Sequence, residues 1–255
     1  MRESSPSSGL FTGSARLPLW LAVVLGGGSL LAFIWFLLAG PPGWVELGFA
    51  RPGVLLVDAG LCLAFFVQHS GMVRKSFRLR LARVVPAEWH GALYALVAGI
   101  TLLALVLLWQ ESGPALDPPS AVRWLLRAAG LASLGGIVWA VRALPSLDPF
   151  GIEPIVHPQR GTEPRRQRLS LQGPYRWVRH PTYFFALGLI WSYPYPTADR
   201  LLFNLLWTTW MWVGTVLEER DLVDAFGDAY RQYQRGVPML IPYRIPRGSY
   251  SAHSD

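Results

Sequence analysis

Long runs of apolar residues, each closed by charged or Pro- and Gly-containing segments, set the pattern of this chain. Leu17 to Ala39 carries no charge. Val54 to Val67 is apolar apart from Asp58, His90 to Trp109 has no acid, Lys or Arg, and Val122 to Leu144 keeps its charges near its ends. A bilayer core is about 30 Å thick and a helix rises about 1.5 Å per residue, so a span needs roughly 20 such residues. Two shorter runs follow, Pro181 to Tyr195 and Leu201 to Leu217, joined by one short loop near Asp199 as a hairpin would be. The pattern predicts an all-α, polytopic membrane helix bundle with about six transmembrane helices. Beyond the last run, Leu222, Phe226, Ala229, Tyr230 and Tyr233 recur at three- and four-residue steps, the stripe of an amphipathic C-terminal helix. Its acids Asp221, Asp224 and Asp228 precede its bases Arg231 and Arg235, which suits the helix dipole, and it is expected to cover whatever lies at that membrane surface.

Composition points the same way, with 52% hydrophobic and only 15% charged residues. The net charge of +7 would fit a nucleic-acid partner, but its placement does not. With six spans, one side holds Arg74, Lys75, Arg78, Arg80 and Arg83, then Arg160, Arg165, Arg166, Arg168, Arg176 and Arg179, then Arg220, Arg231 and Arg235. The other side holds little beyond Arg51, Arg123 and Arg200. Under the positive-inside rule the rich side and both termini are cytoplasmic, in the inner membrane if the source is bacterial. No basic stripe interleaved with exposed aromatics suggests nucleic acid. The single Cys62, inside an apolar run, allows no intrachain disulfide and reads as a small buried hydrophobe. Gly40, Pro41 and Pro42 after the first run give no signal-peptide cleavage pattern, so that run reads as retained.

Residues 1–16, rich in Ser and Gly, read as a disordered cytoplasmic tail, and 244–255 as a flexible one. Residues 17–243 read as one integral membrane domain, with its chemically distinctive region at about 145–242. The loop from Pro145 to Gln172 is too rich in proline for a long helix, and structured loops of that length are often functional.

The densest chemical signal is GPYRWVRHPTY, Gly173 to Tyr183. Pro181 fits the first position of a helix, which sets Arg179 and His180 where that helix begins and where free N–H groups favour an anion. The alternative for the arginines is contact with lipid headgroups. Glu218 and Glu219 follow directly on the apolar run ending at Leu217. Such acids at a membrane boundary take a ligand's cations or bridge to Arg179 or Arg220. The hairpin returns both signals to one side, where His180 and the two acids are expected to face each other across one pocket. Gln68, His69 and Ser70 end the second run on that side, and His69 reads either as a hydrogen-bonding group or as a catalytic base. His90, His157 and His253 have no ligand spacing, and no metal site is expected.

GPYRWVRHPTY, the hairpin, EERDLVDAFGDAYRQY and VPMLIP together resemble the isoprenylcysteine carboxyl methyltransferase superfamily of membrane enzymes. QHSGMVRKSF, HGALYALVAGI and DPFGI are similar to motifs of the branch that contains methanethiol S-methyltransferase and the NnrU-like proteins. The resemblance implies an S-adenosylmethionine site open to the cytosol, and a small thiol or a lipophilic thiol- or carboxyl-bearing substrate. It implies cofactor contacts at Tyr175, His180, Tyr183, Glu218 and Glu219, and is extended here to Arg179 as partner of the cofactor carboxylate. Arg179 and His69 are the catalytic candidates, His69 as the base for a thiol. Where the superfamily carries Gly two residues after the Tyr of RHPxY, this chain has Phe185, which is expected to reshape the pocket. Two rivals are an NADPH-dependent sterol-reductase-like oxidoreductase, disfavoured by Thr182 where that group shows Asn, and a non-catalytic NnrU-like protein or transporter, disfavoured by interior polar residues as isolated as Asp58 and Asn204.

Overall fold

In the computed structural model of the protein, the described residues are 13–114, 116–144, 148, 150, 151, 155, 169 and 171–244. Most of both expected tails and of the proline-rich loop, His157 and His253 included, lies outside them. The described helices are α1 (Gly13–Ala39), α2 (Arg51–Val73), α3 (Lys75–Leu81), α4 (His90–Leu108), α5 (Ser120–Arg142), α6 (Pro181–Ile190), α7 (Ala198–Phe226) and α8 (Asp228–Gly236), with no strand among the described residues.

Four of these helical stretches are long and apolar enough to cross a membrane: Leu19–Ala39, Arg51–Val73, Ala87–Leu108 and Ser120–Arg142. Large apolar side chains stand on their outer faces, Leu31 at 71%, Leu56 at 74% and Leu125 at 70% exposure, a surface that hydrocarbon tolerates and water does not. The expectation of six therefore resolves to four by length and composition. α6, ten residues long, reaches only about 15 Å at 1.5 Å per residue, half the hydrocarbon thickness. Proline and serine end it early, in the turn that holds Ser192, Pro194 and Pro196. α7, with 29 residues, has the length but carries Asp199 and Arg200 at one end and Glu218 and Glu219 near the other.

In lipid, helices gain little from burying apolar area against one another, so close contact rests on small residues. α4 packs between α1 and α2, and α2 also meets α7. At the α1–α4 crossing a Cβ on Gly99 would lie 2.9 Å from the Leu25 carbonyl oxygen. Between these helices a continuous core joins Phe36, Cys62, Phe65, Phe66, Leu105, Trp109, Phe203 and Trp207. Cys62 is fully buried in it, as its surroundings in the sequence suggested.

Phe185 lies at the α5–α6 contact. Its ring lies over Gly136 of α5, where an added Cβ would come within 2.3 Å of ring carbon Cδ1. The volume of this aromatic ring is thus accommodated by a missing side chain on the facing helix. The same seam pairs Gly188 with Ser133 and Gly130 with Ser192. Gly136→Ala is expected to cost about 1–3 kcal/mol by overpacking. Thermal unfolding of Gly136→Ala, Phe185→Leu and the double variant should show the Leu relieving most of that loss, as coupling between touching residues requires.

α7 runs unbroken through Leu222 to Phe226, so the apolar stripe expected of one surface helix is divided. The chain turns at Gly227, with φ of 56°, and α8 folds back. Tyr230 and Tyr233 of α8 are buried against Leu222, Val223 and Phe226.

Candidate functional site

The GPYRWVRHPTY segment and the end of α7 meet at the arginine-rich end of the bundle, and Glu219 is the hub. Its carboxylate accepts two hydrogen bonds from Arg179, Nε to Oε1 and Nη2 to Oε2, each 2.8 Å. Tyr230 Oη donates to Oε1 at 2.7 Å and Gln234 Nε2 to Oε2 at 2.6 Å. His180 Nε2 lies 2.7 Å from Oε1. A carboxylate only accepts, so this contact needs the proton on Nε2 and leaves Nδ1 toward Glu218, whose Oε2 is 3.7 Å away.

The sequence places a pocket between His180 and the two acids, whereas His180 and Glu219 are in direct contact with no hollow between them. The Arg179 guanidinium is also fully engaged. Nη1 donates to the backbone oxygens of Gln234 and Val237, and the side chains of Arg179 and Glu219 are 10% and 9% exposed. The bridge between Arg179 and one of the two acids, one of the readings of the sequence, is what this conformation holds.

VPMLIP closes the arrangement through its backbone. Arg179 N donates to Pro238 O at 2.9 Å and His180 N to Met239 O at 3.1 Å. The two amides ahead of α6 are therefore satisfied within the protein, which reduces what that helix start offers an anion.

Glu218 is different. Its side chain is 46% exposed, its carboxylate lies near the hydroxyls of Tyr183 and Tyr175, and no arginine among the described residues bridges it. A half-exposed acid between two tyrosines and a histidine edge is an available cation-binding face. Tyr94 of α4 reaches His69, its hydroxyl 2.9 Å from His69 Nδ1 and 3.0 Å from Nε2. His69 packs edge-on against Trp210, and Ser70 accepts a hydrogen bond from Trp210 Nε1 at 3.0 Å. DPFGI reaches the same end: Gly151, with φ of 61°, sits on Gly91 of α4 so closely that a Cβ on Gly91 would be 2.6 Å from the Gly151 Cα.

Tyr94, Tyr230 and Gln234 were not singled out as site residues by their positions in the sequence. Tyr94 lies inside HGALYALVAGI, and Tyr230 and Gln234 inside the EERDLVDAFGDAYRQY motif, but their contacts depend on the turn at Gly227 and on the packing of α4.

Glu219 lies beyond the apolar part of α7. Although burial alone would push its carboxyl up, the donors on His180, Arg179, Gln234 and Tyr230 hold it far below the usual carboxylate range. A depressed carboxyl contributes stability that is complete above its unfolded value, 4.5, and is lost as pH falls toward the folded one. Thermal unfolding between pH 7 and pH 3.5 should therefore show the parent losing stability below about pH 4.5 faster than Glu219→Gln, with the gap between them narrowing as pH falls.

This bundle of apolar helices with a polar cluster at one end is of membrane type, and the proteins it resembles in sequence are methyltransferases. The chain belongs to the methanethiol S-methyltransferase family, within the isoprenylcysteine carboxyl methyltransferase-like superfamily. It is 36% identical over 200 residues to methanethiol S-methyltransferase of Pseudomonas deceptionensis, a match covering 76% of this chain and 75% of the relative. It is 33% identical over 194 residues to methanethiol S-methyltransferase 1 of Bradyrhizobium diazoefficiens, covering 74% and 67%. It is 32% identical over 213 residues to methanethiol S-methyltransferase of Mycobacterium tuberculosis, covering 79% and 84%. No family model and no solved structure matches the chain.

Proposed function

We propose that this enzyme methylates a small thiol, using S-adenosylmethionine, from the cytosolic edge of a membrane. The observation that supports the reading is the half-exposed carboxylate of Glu218, near Tyr175, Tyr183 and His180, without an arginine partner among the described residues and beside a saturated Glu219. An unbridged acid among aromatic hydroxyls suits a ligand that is cationic at its amine and its sulfonium, and that is the fit the cofactor requires. When bound, S-adenosylmethionine supplies an electrophilic methyl group. Glu218 and the two tyrosines would hold its cationic and hydroxyl groups.

In this reading Arg179 and Glu219 are positioning residues. Their hydrogen bonds are used on each other, on α8 and on the backbone at Val237, and they fix His180 and the start of α6. His69 takes the thiol proton, and its contact with Tyr94 sets the ring. A thiolate loses charge as it attacks, so the apolar, water-poor surroundings supplied by Phe65 and Trp210 favour the step. α7 crosses the membrane and α6 enters it part way, with the arginine-rich loops and both termini in the cytosol.

The test is methyl transfer from labelled S-adenosylmethionine by detergent-purified enzyme, read as dimethyl sulfide in the headspace with methanethiol as acceptor and as ester with a prenylcysteine. Turnover with methanethiol alone is expected. Transfer to the prenylcysteine carboxyl alone would overturn the acceptor, and binding of NADPH without S-adenosylhomocysteine would overturn the cofactor. His69→Ala should lower kcat at neutral pH by about 100-fold, the usual worth of a general base, with KM for S-adenosylmethionine unchanged.

A further inference from the structure

At the end of the bundle opposite Glu218, the α1–α2, α4–α5 and α6–α7 loops enclose a hollow of about 540 Å³. Arg200, Asp199, Tyr193, Thr197, Glu46 and Glu111 line it. Arg200 is only 3% exposed, and its Nε and Nη1 have no hydrogen-bond partner among the described residues. Its charge is held between the rings of Phe36 and Tyr193, 4.0 and 4.2 Å from the guanidinium carbon, while Nη2 donates to the Phe36 carbonyl. The neighbouring Asp199 does not satisfy it. Asp199 Oδ1 accepts from Ser112 N at 2.9 Å and from Ser112 Oγ, and Oδ2 accepts from Trp109 at 3.0 Å.

A buried guanidinium with two unused donor nitrogens is costly, and one lining a hollow calls for an anion. The rim carries the opposite sign. Glu46 and Glu111 are exposed and project from two different loops, so a purely anionic ligand would meet repulsion on entering. A zwitterion with an anionic group inside and a cationic group at the mouth satisfies both. The loop that carries Glu46 also exposes Trp44 at 77% and Phe49 at 54%, the aromatic residues that settle at headgroup depth. We propose that this hollow binds the headgroup of a zwitterionic phospholipid, its phosphate on Arg200 and a primary ammonium between Glu46 and Glu111. The site is independent of the methyl-transfer site and stands whether or not that reading does.

The test is thermal unfolding of the detergent-purified chain with dihexanoyl-phosphatidylethanolamine, the matching phosphatidylglycerol and phosphatidylcholine, free phosphoethanolamine and inorganic phosphate. Phosphatidylethanolamine should raise the midpoint by a few degrees at saturation, and the other two lipids less. Arg200→Met should abolish that response. Should that variant not fold, Glu46→Gln/Glu111→Gln, altered at exposed positions, carries the test: it should remove the preference for phosphatidylethanolamine over phosphatidylglycerol. Equal responses to the three lipids, or an unchanged preference in the double variant, would overturn the site. Free phosphoethanolamine acting at the same concentration as the lipid would assign the chemistry to a soluble zwitterion and overturn the lipid assignment.

Discussion

Glu219→Gln is expected to cost about 3–5 kcal/mol of stability and to remove nearly all methyl transfer. The carboxylate, on α7, is the shared acceptor of a guanidinium, an imidazole, a phenol and an amide contributed by the segment before α6 and by α8. An amide keeps the volume but presents N–H groups to donors and leaves the buried Arg179 charge without its counter-ion. Removing one partner of a buried pair carries a cost of that order, well above the pair's net worth. Activity should follow because the loosened groups set the beginning of α6 and the ring of His180. Chemical or thermal unfolding measures the first loss and labelled-methyl transfer the second. A variant that unfolds as the parent does would mean that Glu219 is not the hub the geometry makes it.

Glu218→Gln should behave in the opposite way. Its carboxylate is half exposed and in contact with no arginine among the described residues, so stability should change by less than about 0.5 kcal/mol. In the proposed function it meets the cofactor's positive charge, and a lost hydrogen bond to a charged group is worth about 1.5–3 kcal/mol. KM for S-adenosylmethionine should therefore rise by about 10- to 100-fold while KM for the thiol stays level. Two adjacent acids would then divide cleanly into one that holds the fold and one that holds the ligand. Unchanged KM with lost stability would reverse that division.

The membrane-bundle class and the meeting of the two carboxyl-terminal motifs were legible in the sequence, because both rest on local quantities: run length, the turn at Gly173 and Pro174, and the hairpin. The family, too, could be read there, in motifs whose residues are contiguous. What was not legible depends on other helices. Nothing near Phe185 reveals that its ring would find the bare backbone of Gly136. Nothing near Glu219 reveals that Tyr230 and Gln234 would join Arg179 in using up its oxygens. The apolar run from Pro181 to Tyr195 is long enough to suggest a span, yet prolines that are compatible with one in composition end the helix at Ile190. Arg200 looked like one of a few stray charges on the sparse side, and burial between two rings is a property of the assembled bundle.

The hydrogen bonds from the Arg179 and His180 amides to the Pro238 and Met239 carbonyls bear on how the enzyme comes into being. The apolar helices can enter the bilayer in the order in which they are made. The polar cluster around Glu219 can take its final form only after about sixty further residues have been translated and Pro238 and Met239 have come back to Arg179 and His180. A chain that ended before Pro238 would lack both bonds, and with them the tie that holds the segment ahead of α6.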